Sequence, residues 1–253
     1  MLRTARLSLW FAVLASAAVP ADASTVNVSP TRVVLAAGTA GGSLSIRNDS
    51  PAPVRFQVRA FRWSNVGTTE LSLEPTDDLL FFPSLLTLQA GESRLIRVGS
   101  RVAAGPRERT YRLILKELDS RAETASAAGV RMALEISVPV FVQPRALKVA
   151  ADVPIPEIAG GTLVLQMTNT GPVHLTPQRV EVRGVDASGR VVWTRSFKPW
   201  YLLAGESRRY SAAIDAQECQ QTVQIASEIL FEELPDRPLR PRGPVTAGAC
   251  SGP

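Results

Sequence analysis

Two short stretches in the first half of this chain recur in the second half, in the same order. Residues 41–46 read GGSLSI, and residues 160–165 read GGTLVL, 119 positions later. Residues 90–94 read AGESR, and the same five letters return at residues 204–208, 114 positions later. Two ordered matches at nearly equal spacing are typical of two related domains in tandem. The length of 253 residues also suits two domains of roughly 100–130 residues each.

Both halves carry the pattern of short β-strands. Apolar and polar residues alternate over a few positions, as at Val54, Phe56 and Val58, and Gly, Pro, Asn or Asp interrupts such runs about every ten residues. No long window keeps the 3.6-residue period of a helix, so we predict no helix in the mature chain. We therefore predict an all-β protein of two tandem immunoglobulin-like β-sandwich domains, residues 24–146 and 147–253, the second ending in a tail rich in Pro and Arg.

The first 23 residues have the features of an export signal. Arg3 and Arg6 precede an apolar run over residues 7–19, and residues 21–23 (ADA) supply a small-x-small cleavage site. The apolar run is shorter than the roughly 20 residues that a membrane-spanning helix needs. We therefore expect a signal peptide cleaved near Ala23 rather than an uncleaved anchor, and an exported mature chain in which disulfides can persist.

The chain contains two cysteines and one histidine. Cys219 and Cys250 are expected to pair as a structural disulfide, and a reactive thiol is the other interpretation. So few ligands exclude a His/Cys zinc cluster, a haem attachment motif and an iron–sulfur site, and we predict neither a metal nor another cofactor. The formal charge of +5 is spread along the chain, which together with export argues against a nucleic-acid partner.

One segment alternates with unusual regularity. From residue 130 to residue 138, every even position is a large apolar residue, and the odd positions are Arg, Ala, Glu and Ser. A β-strand places these two sets on opposite faces, so the even set forms one apolar ridge: Val130, Met132, Leu134, Ile136 and Val138. Two interpretations are open. The ridge lines the core of its own domain, or it belongs to an edge strand that completes the sheet of another chain.

Several ordered motifs of the first half resemble those of periplasmic pilus-assembly chaperones. They are the start at residues 26–35 (VNVSPTRVVL), the dipeptide Phe82-Pro83, residues 111–118 (YRLILKEL), residues 136–141 (ISVPVF) and Pro144. The resemblance in sequence motifs covers residues 25–144. In the second half of the chain it rests mainly on the arrangement of the predicted strands. The VPVF signature is similar to that of the branch called archaic, which serves subunits resembling spore coat protein U.

This resemblance implies a periplasmic chaperone of two immunoglobulin-like domains without enzymatic activity. The family acts by β-strand addition, in which the last strand of the first domain completes the unfinished sandwich of a pilus subunit. Here that donor strand is residues 130–138. The implied partners are pilus subunits and the outer-membrane usher that receives them, with no small-molecule substrate. Self-association of the free chain is a further option.

The resemblance also implies a pair of cations that bind the carboxylate at the subunit's C-terminus. Arg32 matches the family's arginine on the first strand, whereas Pro139 stands where the family has a lysine. In the archaic branch the carboxylate site lies in the first domain. Arg97 and Arg112 are the candidates there, because both lie mid-strand on elements expected to neighbour the donor strand.

Two other classes of function compete with the chaperone. An enzyme would depend on the single histidine, His174, but no GxSxG, HExxH or glycine-rich phosphate loop accompanies it, and we expect this residue on the surface of a strand or turn. An exported adhesive or structural module of two immunoglobulin-like domains is the main alternative. In that case Trp193, Trp200 and Tyr201 could form a stacking platform for a glycan. The other interpretation, which we favour, is that these rings pack in the core or at the domain interface.

Overall fold

The β-strands form two separate pairs of sheets, one pair in each half of the chain. The computed structural model describes residues 25–39, 41–66, 70–118, 133–246 and 248–250. The predicted fold class, two tandem immunoglobulin-like sandwiches, is confirmed. The predicted domain boundary at residues 146/147 falls between the last strand of the first sandwich and the first strand of the second, and its position stays a prediction.

In its described residues, the first sandwich has ten strands in two sheets. They are β1 (Val26–Ser29), β2 (Val33–Leu35), β3 (Gly42–Asn48), β4 (Val54–Val66), β5 (Glu70–Pro75), β6 (Leu79–Phe82), β7 (Leu85–Leu88), β8 (Ser93–Ser100), β9 (Arg109–Leu118) and β10 (Glu135–Val142). One sheet has the order β1-β3-β8-β6, and the other has the order β2-β10-β9-β4-β5, with β7 also paired to β4.

The alternation read from the sequence decides which face of each strand is buried. On β3, Leu44 and Ile46 are fully buried while Ser43 and Arg47 are exposed, as expected for a strand with one face on the core. The same alternation places Phe56 and Val58 of β4 in the shared apolar core of the two sheets. Burial of these side chains is the main source of stability for such a sandwich.

The second sandwich repeats this arrangement, and its described part contains eight strands and one short helix. They are β11 (Ala151–Asp152), β12 (Glu157–Ala159), β13 (Thr162–Asn169), β14 (Pro177–Val185), β15 (Val191–Ser196), β16 (Ser207–Ala213), α1 (Ala216–Gln221), β17 (Gln224–Phe231) and β18 (Arg242–Pro244). One sheet joins β11, β12 and β16 to β13, and the other has the order β15-β14-β17-β18.

The short helix α1 was not expected, and the prediction of no helix is wrong at this point. Asp215 caps it by accepting a hydrogen bond from the backbone N–H of Glu218, and the Glu218 side chain reaches back to the cap. Six residues are too few to show a helical period in the sequence, so the capping box was the only available signal. The helix carries Cys219, which forms a disulfide with Cys250. No helix among the described residues is long and apolar enough to cross a membrane.

Candidate functional site

Strand β10, at the end of the first sandwich, has an edge that is only partly paired. On one side it pairs antiparallel with β9 along its whole length. On the other side β2 pairs in parallel with residues 140–142 alone. Among the described residues, no strand therefore pairs with residues 135–139 on that side. The free N–H and C=O groups of such an edge are a template for a strand of another chain.

The apolar ridge predicted over residues 130–138 is partly visible on this strand. Val130 and Met132 lie outside the described residues. In the described part, the strand predicted over residues 130–138 begins only at Glu135, after Ala133 and Leu134. Val138 is 2% exposed and belongs to the core, whereas Leu134 and Ile136 are half-buried at the border of that core. The ridge therefore leaves the core towards its N-terminal end, beside the unpaired edge.

Arg112 of β9 lies directly opposite Pro139 of β10, on the face that points away from the core. Its guanidinium carbon is 3.8 Å from the ring centroid of Trp63 and 5.8 Å from those of Trp200 and Tyr201. The residue is only 5% exposed. Its Nε and Nη2 atoms are buried without a hydrogen-bond partner in the described part of the chain, and this burial lowers the pKa of Arg112.

The other two predicted anchor cations are placed differently. Arg32 donates to Glu232 of the second sandwich, with Nη1 2.9 Å from Oε2, and this hydrogen bond raises the pKa of Arg32. Arg97 lies exposed on β8, whose neighbours are β3 and β6 in the other sheet. The expectation that the strand of Arg97 neighbours β10 is therefore wrong, because the alternation of the sequence does not reveal which sheet a strand joins.

A cluster of buried aromatic and apolar side chains joins the two sandwiches. Trp63 and Phe141 of the first sandwich pack with Leu203 of the second, and all three are buried. The Tyr201 ring stands edge-on to Trp63 at 5.4 Å between centroids. Because Trp63 also stacks on Arg112, this interdomain cluster forms one wall of the surroundings of that cation.

Polar contacts complete the junction between the sandwiches. Asn65 donates its side-chain N–H to Glu206 Oε2 (2.7 Å), and its backbone N–H to Glu206 Oε1 (3.1 Å). His174 lies against Glu108, with Nδ1 2.7 Å from Oε1. The repeated AGESR motif marked Glu206 in the sequence, but nothing marked its partner Asn65.

The structure corrects the expectation for His174 and decides between the two interpretations of Trp193. His174 is 7% exposed, so it is buried between the sandwiches rather than on a surface. Trp193 is 4% exposed and donates its indole N–H to the Thr222 hydroxyl at 2.8 Å. It packs against Gly184 in the second core, so it forms no exposed platform with Trp200. Core packing, the favoured interpretation of Trp193, is therefore confirmed, and the glycan-binding alternative loses this residue from its platform.

The first sandwich decides which family this chain belongs to. Residues 25–148 match the family described as pili and flagellar-assembly chaperone, PapD N-terminal domain. The chain is a member of the pilus-assembly chaperone family. The resemblance drawn from the motifs of the first half is thereby confirmed, and this chaperone carries on β9 and β10 the unpaired edge and the buried cation described above.

Individual relatives agree with this assignment. The chaperone protein FimB/FhaD of Bordetella pertussis is 26% identical over 77% of this chain and 80% of its own length. A chaperone–tip adhesion subunit complex from the archaic Csu pili of Acinetobacter baumannii matches with a TM-score of 0.59 at 17% identity, covering 86% of this chain and 97% of that one. The CupB2 chaperone of Pseudomonas aeruginosa matches with a TM-score of 0.55 at 17% identity, covering 87% of this chain and 100% of that one. Both likenesses extend across the two sandwiches of this chaperone.

Proposed function

We propose that this chaperone captures pilus subunits in the periplasm by donor-strand complementation and hands them to an outer-membrane usher. The observation that carries the proposal is the unpaired edge of β10 over residues 135–139, next to a half-buried apolar ridge. β-Strand addition needs both features, because the backbone supplies affinity and alternate side chains supply specificity. The likeness to an archaic Csu chaperone and the VPVF signature support the branch that serves subunits resembling spore coat protein U.

Leu134 and Ile136 are the described side chains best placed to enter a subunit. Each is half-buried. A subunit groove that covers the exposed half would add a favourable binding free energy of about 1 kcal/mol per side chain. Val138, already in the core, holds the strand to its own domain. A shift by one residue would turn Leu134 and Ile136 away from the groove, so the register of the added strand must be held by a separate contact.

To test capture by this strand, the chaperone is given an affinity tag at its C-terminus and purified from the periplasm of the native host. We expect a small β-rich protein to copurify in equimolar amount, and the variants Leu134→Asp and Ile136→Asp to lose it. Ser137→Asp is the matched control, because this exposed side chain of the same strand alternates with the ridge. Circular dichroism checks that each variant is folded. Retention of the partner by both ridge variants would show that β10 is not the donor strand.

Arg112 is the cation that we propose holds the register, by binding the carboxylate at the subunit's C-terminus. A buried guanidinium with two unpaired N–H groups lowers the stability of the free chain, and a carboxylate would satisfy both groups in a bidentate arrangement. Arg112 also faces Pro139 on the donor strand itself. Because it is so deeply buried, docking requires one neighbouring ring to move, and Trp200, at 38% exposed, is the most exposed of the three.

This assignment predicts opposite effects on stability and on capture. Arg112→Met keeps much of the length and removes the buried charge, so we expect urea unfolding of the free chaperone to need more denaturant. Affinity for the copurified subunit should fall by about tenfold or more, because a hydrogen-bonded charge is worth about 1.5–3 kcal/mol. Arg97→Gln serves as the control and should change neither quantity. Unchanged affinity in Arg112→Met would exclude Arg112 as the anchor while leaving strand donation intact.

A further inference from the structure

The side chains that enclose Arg112 come from both sandwiches. Trp63 of the first sandwich covers one face of the guanidinium, with 3.8 Å between the guanidinium carbon and the ring centroid. The ring centroids of Trp200 and Tyr201, both from the second sandwich, each lie 5.8 Å from the same carbon. A cation–π attraction is near its limit at about 6 Å, so these two rings do little to offset the hydration that Arg112 has lost. The second sandwich therefore contributes mainly a cover over the cation.

The cover closes over the edge of Arg112 that is able to bind an anion. Nε and Nη2, the two buried atoms without a hydrogen-bond partner among the described residues, share one edge of the planar guanidinium. A carboxylate binds such an edge with both of its oxygen atoms. Burial lowers the pKa of Arg112, because the charged form is no longer hydrated. The closed arrangement is thus complete in packing and incomplete in hydrogen bonding, and an arriving carboxylate would complete it.

Two of the three rings around the guanidinium are held in place. Trp63 is 1% exposed, and its indole N–H donates to Asn65 Oδ1 at 3.0 Å. The half-buried Tyr201 ring packs against Trp63 and Phe141, with centroids 5.4 Å and 5.6 Å apart. Moving either ring would break that hydrogen bond or open the interdomain cluster.

Trp200 is held much less tightly than the other two rings. It is exposed, its indole N–H has no hydrogen-bond partner in the described part of the chain, and its aromatic contact there is Tyr201, edge-on at 6.3 Å. Backbone hydrogen bonds hold Phe197 and Leu202 on either side, whereas residues 198–201 make none within the described ranges. The Trp200 ring can therefore swing towards water without breaking a hydrogen bond, at the cost of its packing.

We propose that Trp200 is a gate of the subunit site, whose ring closes over Arg112 in the free chaperone and swings out when the carboxylate of a subunit docks. This inference rests on the proposed function, because it takes Arg112 as the group that binds the carboxylate. A closed gate lowers the apparent affinity in proportion to the fraction of molecules in which the gate is open. The second sandwich thus controls access to an anchor that belongs to the first.

The first experiment is a double-mutant cycle on the free chaperone and needs no subunit. Trp200→Ala and Arg112→Met are made singly and together, and the urea midpoint of each chain is measured. Removing the ring costs packing, but in the wild-type chain it also returns water to Arg112, which offsets part of that cost. We expect Trp200→Ala to lower the midpoint less in the wild-type chain than in Arg112→Met. An equal or greater loss in the wild-type chain would overturn the proposal, because the ring would then not desolvate the cation.

The second experiment measures the apparent affinity for the copurified subunit. We expect Trp200→Ala to bind it about tenfold more tightly than the wild-type chain, because a minor open form is populated at about a tenth or less. In Arg112→Met the same substitution should give no gain. Lys198→Ala is the matched control, since it removes an exposed side chain of the same segment, and it should change neither the midpoint nor the affinity.

The outcomes separate the gate from the proposed function. Equal affinity of Trp200→Ala and the wild-type chain rejects the gate and leaves strand donation intact. A gain of the same size in Arg112→Met also rejects it, since the ring would then block a contact other than the one with Arg112. Absence of any captured subunit, together with the expected coupling in the free chain, would instead count against the proposed function.

Discussion

The two AGESR turns are built alike, one in each sandwich. Each is held by a fully buried asparagine, Asn48 or Asn169. The asparagine backbone N–H donates to the carbonyl of the turn's glutamate, Glu92 at 3.0 Å or Glu206 at 2.8 Å. Its side-chain N–H groups donate to the carbonyl four residues further along and to the carbonyl four residues before that glutamate, at 2.7–3.2 Å. The repeated letters thus encode one buried hydrogen-bonded corner, used twice.

The two turns differ in what their glutamates bind outside the corner. Glu92 accepts from the Gln89 N–H at 2.8 Å and pairs with Arg94, so it stays within its own sandwich. Glu206 accepts from Leu203 in the same way and also from Asn65 of the first sandwich. The local hydrogen bonds determine the conformation of the turn. The surface that packs against the turn determines what else its glutamate binds. Among the described contacts, the glutamate of the second copy joins the interdomain junction and that of the first copy does not.

The largest loss of folding stability is expected from replacing the buried asparagine, which has the same role in both turns. Asn48→Ala and Asn169→Ala each leave buried carbonyl groups without a donor, which costs about 3 kcal/mol. Urea unfolding of the full chain should show similar losses for both variants. A loss confined to one variant would mean that the two corners are alike in geometry but not in energy.

A smaller loss of stability is expected from replacing the glycine of each turn, and it should differ between the two turns. Gly91 and Gly205 both have a positive φ, 74° and 80°, which an alanine adopts at a cost of about 1–2 kcal/mol. An added Cβ meets nothing within 4 Å at Gly91, whereas at Gly205 it lies 2.6 Å from Nη1 of Arg107 in the first sandwich. Gly205→Ala should therefore lower the urea midpoint more than Gly91→Ala, and Arg107→Ala in the same chain should remove the difference. Equal midpoints would show that Arg107 moves aside freely.

The smallest effect concerns two ion pairs at acid pH. Hydrogen bonds from Arg94 and Arg32 lower the pKa of Glu92 and of Glu232, respectively. A carboxyl with a lowered pKa stabilises the folded chain above its unfolded value of about 4.3, and this stability is lost as the pH falls through the folded pKa. The urea midpoint of the wild-type chain should fall between pH 7 and pH 3. Glu232→Gln should reduce this fall more than Glu92→Gln, because of these two residues Glu232 is the one that joins the sandwiches. The reverse order would assign the acid sensitivity to the exposed turn.

Most of the fold could be predicted from short-range patterns. The alternation over β4 correctly indicated which residues are buried, and the paired motifs indicated two related units. Both signals are local, because a strand's two faces depend only on residues two positions apart. The six-residue helix α1 was missed, since its length gives no period to detect.

The candidate site was predictable only in part, because its contacts join residues far apart in the chain. Arg112 lies on the strand beside β10, as expected, whereas Arg97 lies in the other sheet. The alternation around both residues is the same, so it does not distinguish the sheets. The contacts Glu108–His174, Asn65–Glu206 and Arg32–Glu232 span 66, 141 and 200 positions. No local pattern reports such a pairing.

The sequence by itself determined the strands, the two sandwiches and, through its motifs, the chaperone family. The tertiary structure decided that His174 lies between the sandwiches. Within the described ranges it also decided which edge of β10 stays unpaired and that Arg112 is buried without an acidic partner. The physical reason is the range of the interactions. Side-chain alternation and turn chemistry act over a few residues, whereas burial and charge pairing depend on surfaces that come together only when both sandwiches have formed.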